Sequence, residues 1–307
     1  MSVFVEYIRY QKSIALVKQL SVGLSEKSKY ELRNILERWL LAEWNSQIDR
    51  DTQFQIELLQ KRICTLQNVK EYIEKAKLIL SSALTEEKGK VTVLFNSIVY
   101  LEYFTPLTPR IRFLLTKGTS DQIMSMLLRY ESILPGGQHW GVPWPVSDYL
   151  YILGFRNEGF SSPLNSRFID KPETKFCTLF YDTDSPFGSI GSFFFQSLDI
   201  SSDWMINPPM IASLLDPICD KIEDLLNRTQ GQTRIFFSMS AWTDTPIFKR
   251  LSESKHLIAR VMLEPNQYYY HTPLQDKIIA PFRSVYFVLG RPLQPTELHT
   301  LEKLWKP

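Results

Sequence analysis

From Lys27 to about Ala83 the apolar residues recur at intervals of three and four, as in Leu32, Ile35, Leu36, Trp39, Leu40 and then Ile56, Leu59, Ile63, Leu66, and neither Pro nor Gly interrupts them. That spacing lays an apolar stripe along a helix and predicts two long ones. Val91 to Phe104 is expected to be β-rich, and Pro106 and Pro109 break the chain before a further helix near Asp121 to Ile133. After Leu134-Pro135-Gly136-Gly137 and a Trp- and Pro-rich segment to Pro145, one short helix (Val146 to Leu153) leads into a different pattern. Short apolar runs of strand length, Phe176 to Tyr181, Trp204 to Ile206, Arg234 to Met239, Leu257 to Leu263 and Ser284 to Leu289, now alternate with helical stretches at Ile211 to Asn227 and Pro246 to Ser254. The chain therefore reads as a mainly helical domain, residues 1–150, followed by an α/β domain, residues 151–307. Ligands in an α/β sheet sit beyond the carboxyl ends of its strands.

Composition narrows the functional classes. A chain of 307 residues, 44% hydrophobic and 22% charged, can build one large core or two modest ones. The formal charge is only +2, so any nucleic-acid contact must be local rather than the work of a basic coat. Cys64, Cys177 and Cys219 form no CxxC pair, and His139, His256, His271 and His299 stand at no metal-ligand spacing, so neither a disulfide framework nor a metal is expected. The N-terminal stretch carries Glu6, Arg9, Lys12 and Lys18, and no apolar run approaches the roughly 18 residues of a membrane span. An intracellular, reducing setting with no membrane contact is the expectation.

The chemistry concentrates at Asn207-Pro208-Pro209-Met210, set between the apolar strand Trp204 to Ile206 and the helix that opens with Ile211-Ala212-Ser213. The lone pair of an exocyclic base amine is delocalised into the ring. Two acceptors gripping its N–H groups favour a more tetrahedral, nucleophilic nitrogen, and the Asn207 carboxamide oxygen and Pro208 carbonyl can supply them. Proline holds such a turn rigid and brings no N–H of its own. Met210 can offer a polarizable contact to a base face. Read alone, the tetrapeptide is also a plain strand-stopping loop. The strand before it, the helix after it and the next strand ending at Ser240-Ala241-Trp242 are the order a class I amino-methyltransferase uses from its fourth strand onward.

Further blocks recur in order around this turn: Leu127-Leu128-Arg129-Tyr130, Phe160-Ser161-Ser162-Pro163-Leu164-Asn165, Asp182-Thr183-Asp184 with Phe187-Gly188-Ser189 and Gly191-Ser192, then Phe236 to Trp242, Phe248-Lys249-Arg250 and Tyr268-Tyr269-Tyr270. With these the chain, over roughly Asp121 to Leu289, resembles the phosphorylated-CTD-interacting-factor family of cap-specific adenosine N6-methyltransferases. The resemblance implies a class I, Rossmann-like S-adenosylmethionine-dependent methyltransferase core preceded by a mainly α-helical, RNA-contacting domain. It implies S-adenosylmethionine as cofactor and RNA, the capped mRNA 5′ end, as partner. Asn207, Pro208, Pro209 and Met210 become the catalytic turn. Pro163, Leu164, Asn165, Asp182, Asp184, Phe187, Gly188 and Asn207 become cofactor contacts, with Asp182 and Asp184 at the end of a strand accepting from ribose hydroxyls or the methionine ammonium. Trp242, Tyr268 and Tyr269 are expected to line the substrate cleft. The glycine segment at Phe187 to Ser192 lies too near Asn207 to be the usual first-motif loop, and a turn without ligand serves it equally. Arg9, Arg33, Arg38, Lys61, Arg62, Arg110, Arg112 and Arg129 are the cationic candidates for phosphate contacts.

Three positions depart from the family pattern. Met210 stands where an aromatic residue is usual, Ala212 where an acidic one helps bind substrate, and Thr243-Asp244 where a basic and acidic pair follows the Trp. No WW module is seen, so binding to the phosphorylated polymerase tail is not expected. A catalytically silent scaffold that binds RNA or protein is the alternative these departures favour, and an adenine methyltransferase acting on DNA is a third reading.

Overall fold

The computed structural model describes residues 2–42, 50–82, 89–198, 200–272 and 277–307. The chain forms two compact units, Met1–Gln138 and His139–Pro307, so 139–150 belong with the sheet that follows rather than with the helices before.

The first unit contains α1 (Val3–Leu20), α2 (Glu26–Ala42), α3 (Arg50–Gln60), α4 (Val69–Ser81), the antiparallel strands β1 (Thr92–Val93), β2 (Ser97–Tyr100) and β3 (Tyr103–Pro106), then α5 (Pro109–Leu114) and α6 (Ser120–Glu131). Where two helices are expected between residues 27 and 83 the described residues form three, and Ala83 lies outside them. The break after α3 needs neither Gly nor Pro: Arg62 takes φ +55°, Arg62 N–H donates to Leu59 O, and Ile63 N–H donates to Leu58 O. This is a Schellman stop with arginine in the left-handed position. α1 lies against α6 and α4, and its buried Glu6 accepts from Arg129 Nε at 2.5 Å and Nη2 at 2.7 Å. Arg129 is therefore paired within the fold, as Arg38 is with Glu57. No described helix is long and apolar enough to cross a membrane.

The second unit runs α7 (Trp144–Ile152), β4 (Phe155–Ser161), β5 (Lys175–Thr178), α8 (Tyr181–Asp184), β6 (Asp203–Ile206), α9 (Ala212–Arg228), β7 (Ile235–Ser240), α10 (Pro246–Ser252), β8 (Leu257–Leu263), β9 (Tyr269–His271), β10 (Lys277–Ile279), β11 (Ser284–Leu289) and α11 (Pro295–Leu304). β9 and β10 make a small ribbon, and the remaining strands form one sheet in the order β5-β4-β6-β7-β11-β8. β5, β4, β6 and β7 are parallel, while β11 runs antiparallel to both β7 and β8. A parallel sheet with its latest strand reversed and inserted beside the edge is the class I methyltransferase arrangement, and this is its α/β, Rossmann-like core. Phe236 and Tyr286 face a core built with α7, α11 and Trp305, while Phe237 and Phe287 face the other side, where Phe248 of α10 meets Phe287.

The inner strands β6 and β11 are buried along their whole length. Trp204, Met205 and Ile206 are each at most 1% exposed, worth roughly 1.5–3 kcal/mol apiece. At the amino end of β6 Asp203 accepts from Arg234 N–H at 2.7 Å and Arg234 Nε at 2.6 Å, tying β6 to the entrance of β7.

Candidate active site

β5 lies on one side of β4 and β6 on the other, so the chain leaves the carboxyl ends of β4 and β6 in opposite directions. That switch point is where an α/β sheet opens a crevice for a ligand. Two of the singled-out segments stand there: Pro163-Leu164-Asn165 after β4, and Asn207-Pro208-Pro209-Met210 between β6 and α9.

Asn207 is half-buried, with its Nδ2 donating to the Trp140 carbonyl at 2.9 Å. That bond fixes the amide's orientation and turns Oδ1 to the remaining side as an acceptor. Pro208 is buried beside it, Met210 is half-buried, and Ile211 N–H closes the turn on Pro209 O at 2.9 Å before α9 begins.

The loop after β4 is held by its own side chains. Asn165 Oδ1 accepts from Ser162 N–H at 2.7 Å and Ser162 Oγ at 2.9 Å, and Asn165 Nδ2 donates to His139 O at 3.1 Å. Just beyond, Glu158 of β4 accepts from Ser166 Oγ at 2.7 Å and Arg167 N–H at 3.0 Å. Pro163 is buried and Leu164 half-buried in the same turn.

Elsewhere the structure redistributes the expected residues. Asp182 and Asp184 do not close a strand, because β5 ends at Thr178 and buried Phe180 turns the chain into the short α8. Asp182 is exposed there, whereas Asp184 is fully buried and accepts from Thr183 Oγ1 at 3.0 Å. Phe187 is a core residue, and Gly188, at φ +97°, ends the 3-10 turn that precedes a short edge segment. That segment runs beside β5, with Ile190 N–H donating to Phe176 O at 3.0 Å and Thr178 N–H to Gly191 O at 2.9 Å. The glycines thus shape the sheet's edge.

Trp242 follows β7 and is 38% exposed. Tyr268 does not line a cleft: it is 1% exposed, its hydroxyl donates to the Phe282 carbonyl at 2.7 Å and meets Ser284 Oγ at 2.7 Å, and its ring meets Trp305 edge-on. Tyr269 faces the other side of the ribbon, where Lys277 Nζ sits 4.2 Å from its ring centre and covers it. Strand alternation sends Tyr268 and Tyr270 to the core, and a cation takes the face left over.

Two aromatic residues that the sequence pattern does not single out come forward instead. Trp140, whose carbonyl holds Asn207, stacks on Phe282 at 6.2 Å with a 14° interplanar angle, and Phe282 is 37% exposed. The Trp- and Pro-rich run at 139–145 is the available signal. His271, bridged to Gly141 through the backbone, is pushed down to about 4 by burial, with Arg167 and Lys277 adding repulsion, so it stands neutral at pH 7. Among the described residues no three His, Cys, Asp or Glu side chains converge as metal ligands.

The exposed Asp182 carboxylate after β5 and the Asn207 amide oxygen after β6 are hydrogen-bond acceptors that follow the carboxyl ends of parallel strands, the side of an α/β sheet on which ligands bind.

Among solved structures, a protein of Listeria monocytogenes described as a class I S-adenosylmethionine-dependent methyltransferase aligns with 92% of this chain and 100% of its own, at 11% identity and a TM-score of 0.35. Residues 116–272, just over half of the chain, match the sequence model of the family described as Phosphorylated CTD interacting factor 1 WW domain. The matched stretch runs from α6 through β9 and includes both loops of the switch point; the chain belongs to the phosphorylated CTD interacting factor 1 family.

Proposed function

We propose that this chain is an S-adenosylmethionine-dependent adenine N6-methyltransferase acting on RNA, with the adenosine beside the mRNA cap as its target. The observation that carries the reading is Asn207, in the turn after β6, with its Nδ2 already bonded to Trp140 O, so that Oδ1 is the end of the amide left as acceptor. An adenine amine offers two N–H donors; the Asn207 oxygen takes one and the Pro208 carbonyl takes the other. Both acceptors hang on a turn stiffened by two prolines, so little reorganisation accompanies the gain of charge at the nitrogen. S-adenosylmethionine, when bound, would supply an electrophilic sulfonium methyl for in-line displacement by the amine nitrogen, with the thioether leaving and the surplus amine proton lost afterward, and alignment by the turn lowers the barrier. Asp182 and, in the loop after β4, Pro163 and Leu164 are the candidate cofactor contacts, and Trp242 with Phe282 offers aromatic surface for nucleotide stacking.

Asn207→Ala is expected to lower transfer of labelled methyl groups to capped RNA beginning with adenosine by about 10²- to 10³-fold, the cost of one preorganised polar contact. Calorimetry should show cofactor binding largely kept. Competition among capped RNA, uncapped RNA and duplex DNA tests the substrate class. Transfer to none of them by the unmodified protein removes the enzymatic reading. Met210 and Ala212 favour the silent-scaffold reading, which calorimetry with S-adenosylmethionine separates because a scaffold has no need to bind it.

A further inference from the structure

Four successive carbonyls of the segment His139–Val142 are each taken by a different donor. His139 O accepts from Asn165 Nδ2 at 3.1 Å, Trp140 O from Asn207 Nδ2 at 2.9 Å, Gly141 O from His271 N–H at 3.0 Å, and Val142 O from Arg167 Nε at 2.9 Å. The segment thus crosses the switch point and joins the loop after β4 to the turn after β6. Its own position is fixed independently: Gly141 N–H donates back to His271 O at 2.9 Å, Val142 is 1% exposed in the core, and the Trp140 indole stacks on Phe282. Arg167, which holds the far end, is itself 1% exposed, with its guanidinium 4.2 Å above the Trp144 ring.

We infer that His139–Val142 is a strap that sets the orientation of the Asn207 amide, and that Asn165 is a positioning residue of this strap rather than a ligand of the cofactor. The inference rests on the reading of Asn207 as acceptor for an adenine amine. An amide has a donor end and an acceptor end of nearly equal size, so shape alone does not choose between its two orientations. The Trp140 carbonyl does. With Asn207 reversed, two acceptors would face each other at Trp140 and two donors would meet at the substrate amine. The strap keeps the carbonyl in place because its neighbour, His139 O, is pinned by Asn165. The Asn165 oxygen is already occupied twice by Ser162, which leaves the side chain turned inward on protein groups.

The test uses the full chain. Asn165→Asp keeps the oxygen that Ser162 uses and sets a carboxylate oxygen against His139 O. Two quantities are read: solvent exchange of the Asn207 side-chain NH2 protons by NMR, assigned by their loss in Asn207→Asp, and kcat with cofactor Kd as a function of pH. Exchange at Asn207 is expected to quicken about tenfold and kcat to fall about tenfold at neutral pH, the loss of roughly one net hydrogen bond, while cofactor Kd stays within about twofold. As pH falls, the carboxyl introduced by Asn165→Asp takes up a proton and can donate to His139 O again, and kcat should recover relative to the unmodified protein. Asn165→Ala, which removes the donor without adding charge, should show the same losses and no recovery, and it serves where the aspartate variant does not fold. Tenfold weaker cofactor binding with kcat unchanged would make Asn165 a ligand and overturn the inference, as would unaltered Asn207 exchange in an active protein. Quickened exchange in a protein that methylates no adenine would instead retain the strap and discard the proposed activity.

Discussion

A Cβ on Gly290 would lie 1.9 Å from the Thr233 carbonyl oxygen, in a backbone with φ +95°. Neither obstacle is a flexible side-chain end, so the strand end must shift or break. Gly290→Ala is expected to destabilise the protein by at least about 3 kcal/mol in urea denaturation, and a loss under about 1 kcal/mol would show that the Thr233 backbone yields easily. Residues differ in how far their role can be read before folding. Asn207 is legible because its chemistry and its place after an apolar strand are both local facts. Tyr268 is not: whether a tyrosine of a short ribbon faces a cleft or a core depends on Trp305 and Ser284, which arrive later in the chain. Trp140 escapes notice for the complementary reason, since what it contributes at Asn207 is a backbone carbonyl, and no side-chain pattern advertises that.

Elements follow the same logic. β8 and β11 have the boundaries their apolar runs suggest, because each is a plain stretch of strand-forming residues. β4 is missing from the strands expected of the pattern, since Phe155-Arg156-Asn157-Glu158-Gly159 is no apolar run, yet it is an inner strand. Its Glu158 tolerates burial because the carboxylate is satisfied by Ser166 Oγ and the Arg167 N–H. α3 ends without a breaker through the left-handed Arg62, which periodicity does not register. α6 announces its start more openly, with Thr119 and Gln122 forming a reciprocal capping box at 3.2 Å and 2.8 Å. Thr119→Ala should cost about 1 kcal/mol in thermal or urea unfolding, and a change too small to measure would mean water replaces the cap at no loss.

For the molecule as a whole, the alternating pattern after residue 150 identifies the sheet's class but not its strand order, since order depends on pairings between distant segments. Among the described residues β8 has one partner in the sheet, β11, which also links β8 to β7. The two should therefore gain protection together. In refolding followed by pulsed hydrogen exchange, amides of Leu257–Leu263 are expected to be protected no earlier than those of Ser284–Leu289. Protection of β8 ahead of β11 would show a pairing absent from the native sheet. The reversed strand also matters during synthesis. The ribosome releases β8 before it has made the segment that will sit between β8 and β7, so a nascent chain carries β8 without its partner and β7 with one open edge while the intervening ribbon is translated. Folding helpers that shield exposed strands have their natural moment of engagement in that interval, and a translational pause there would lengthen it.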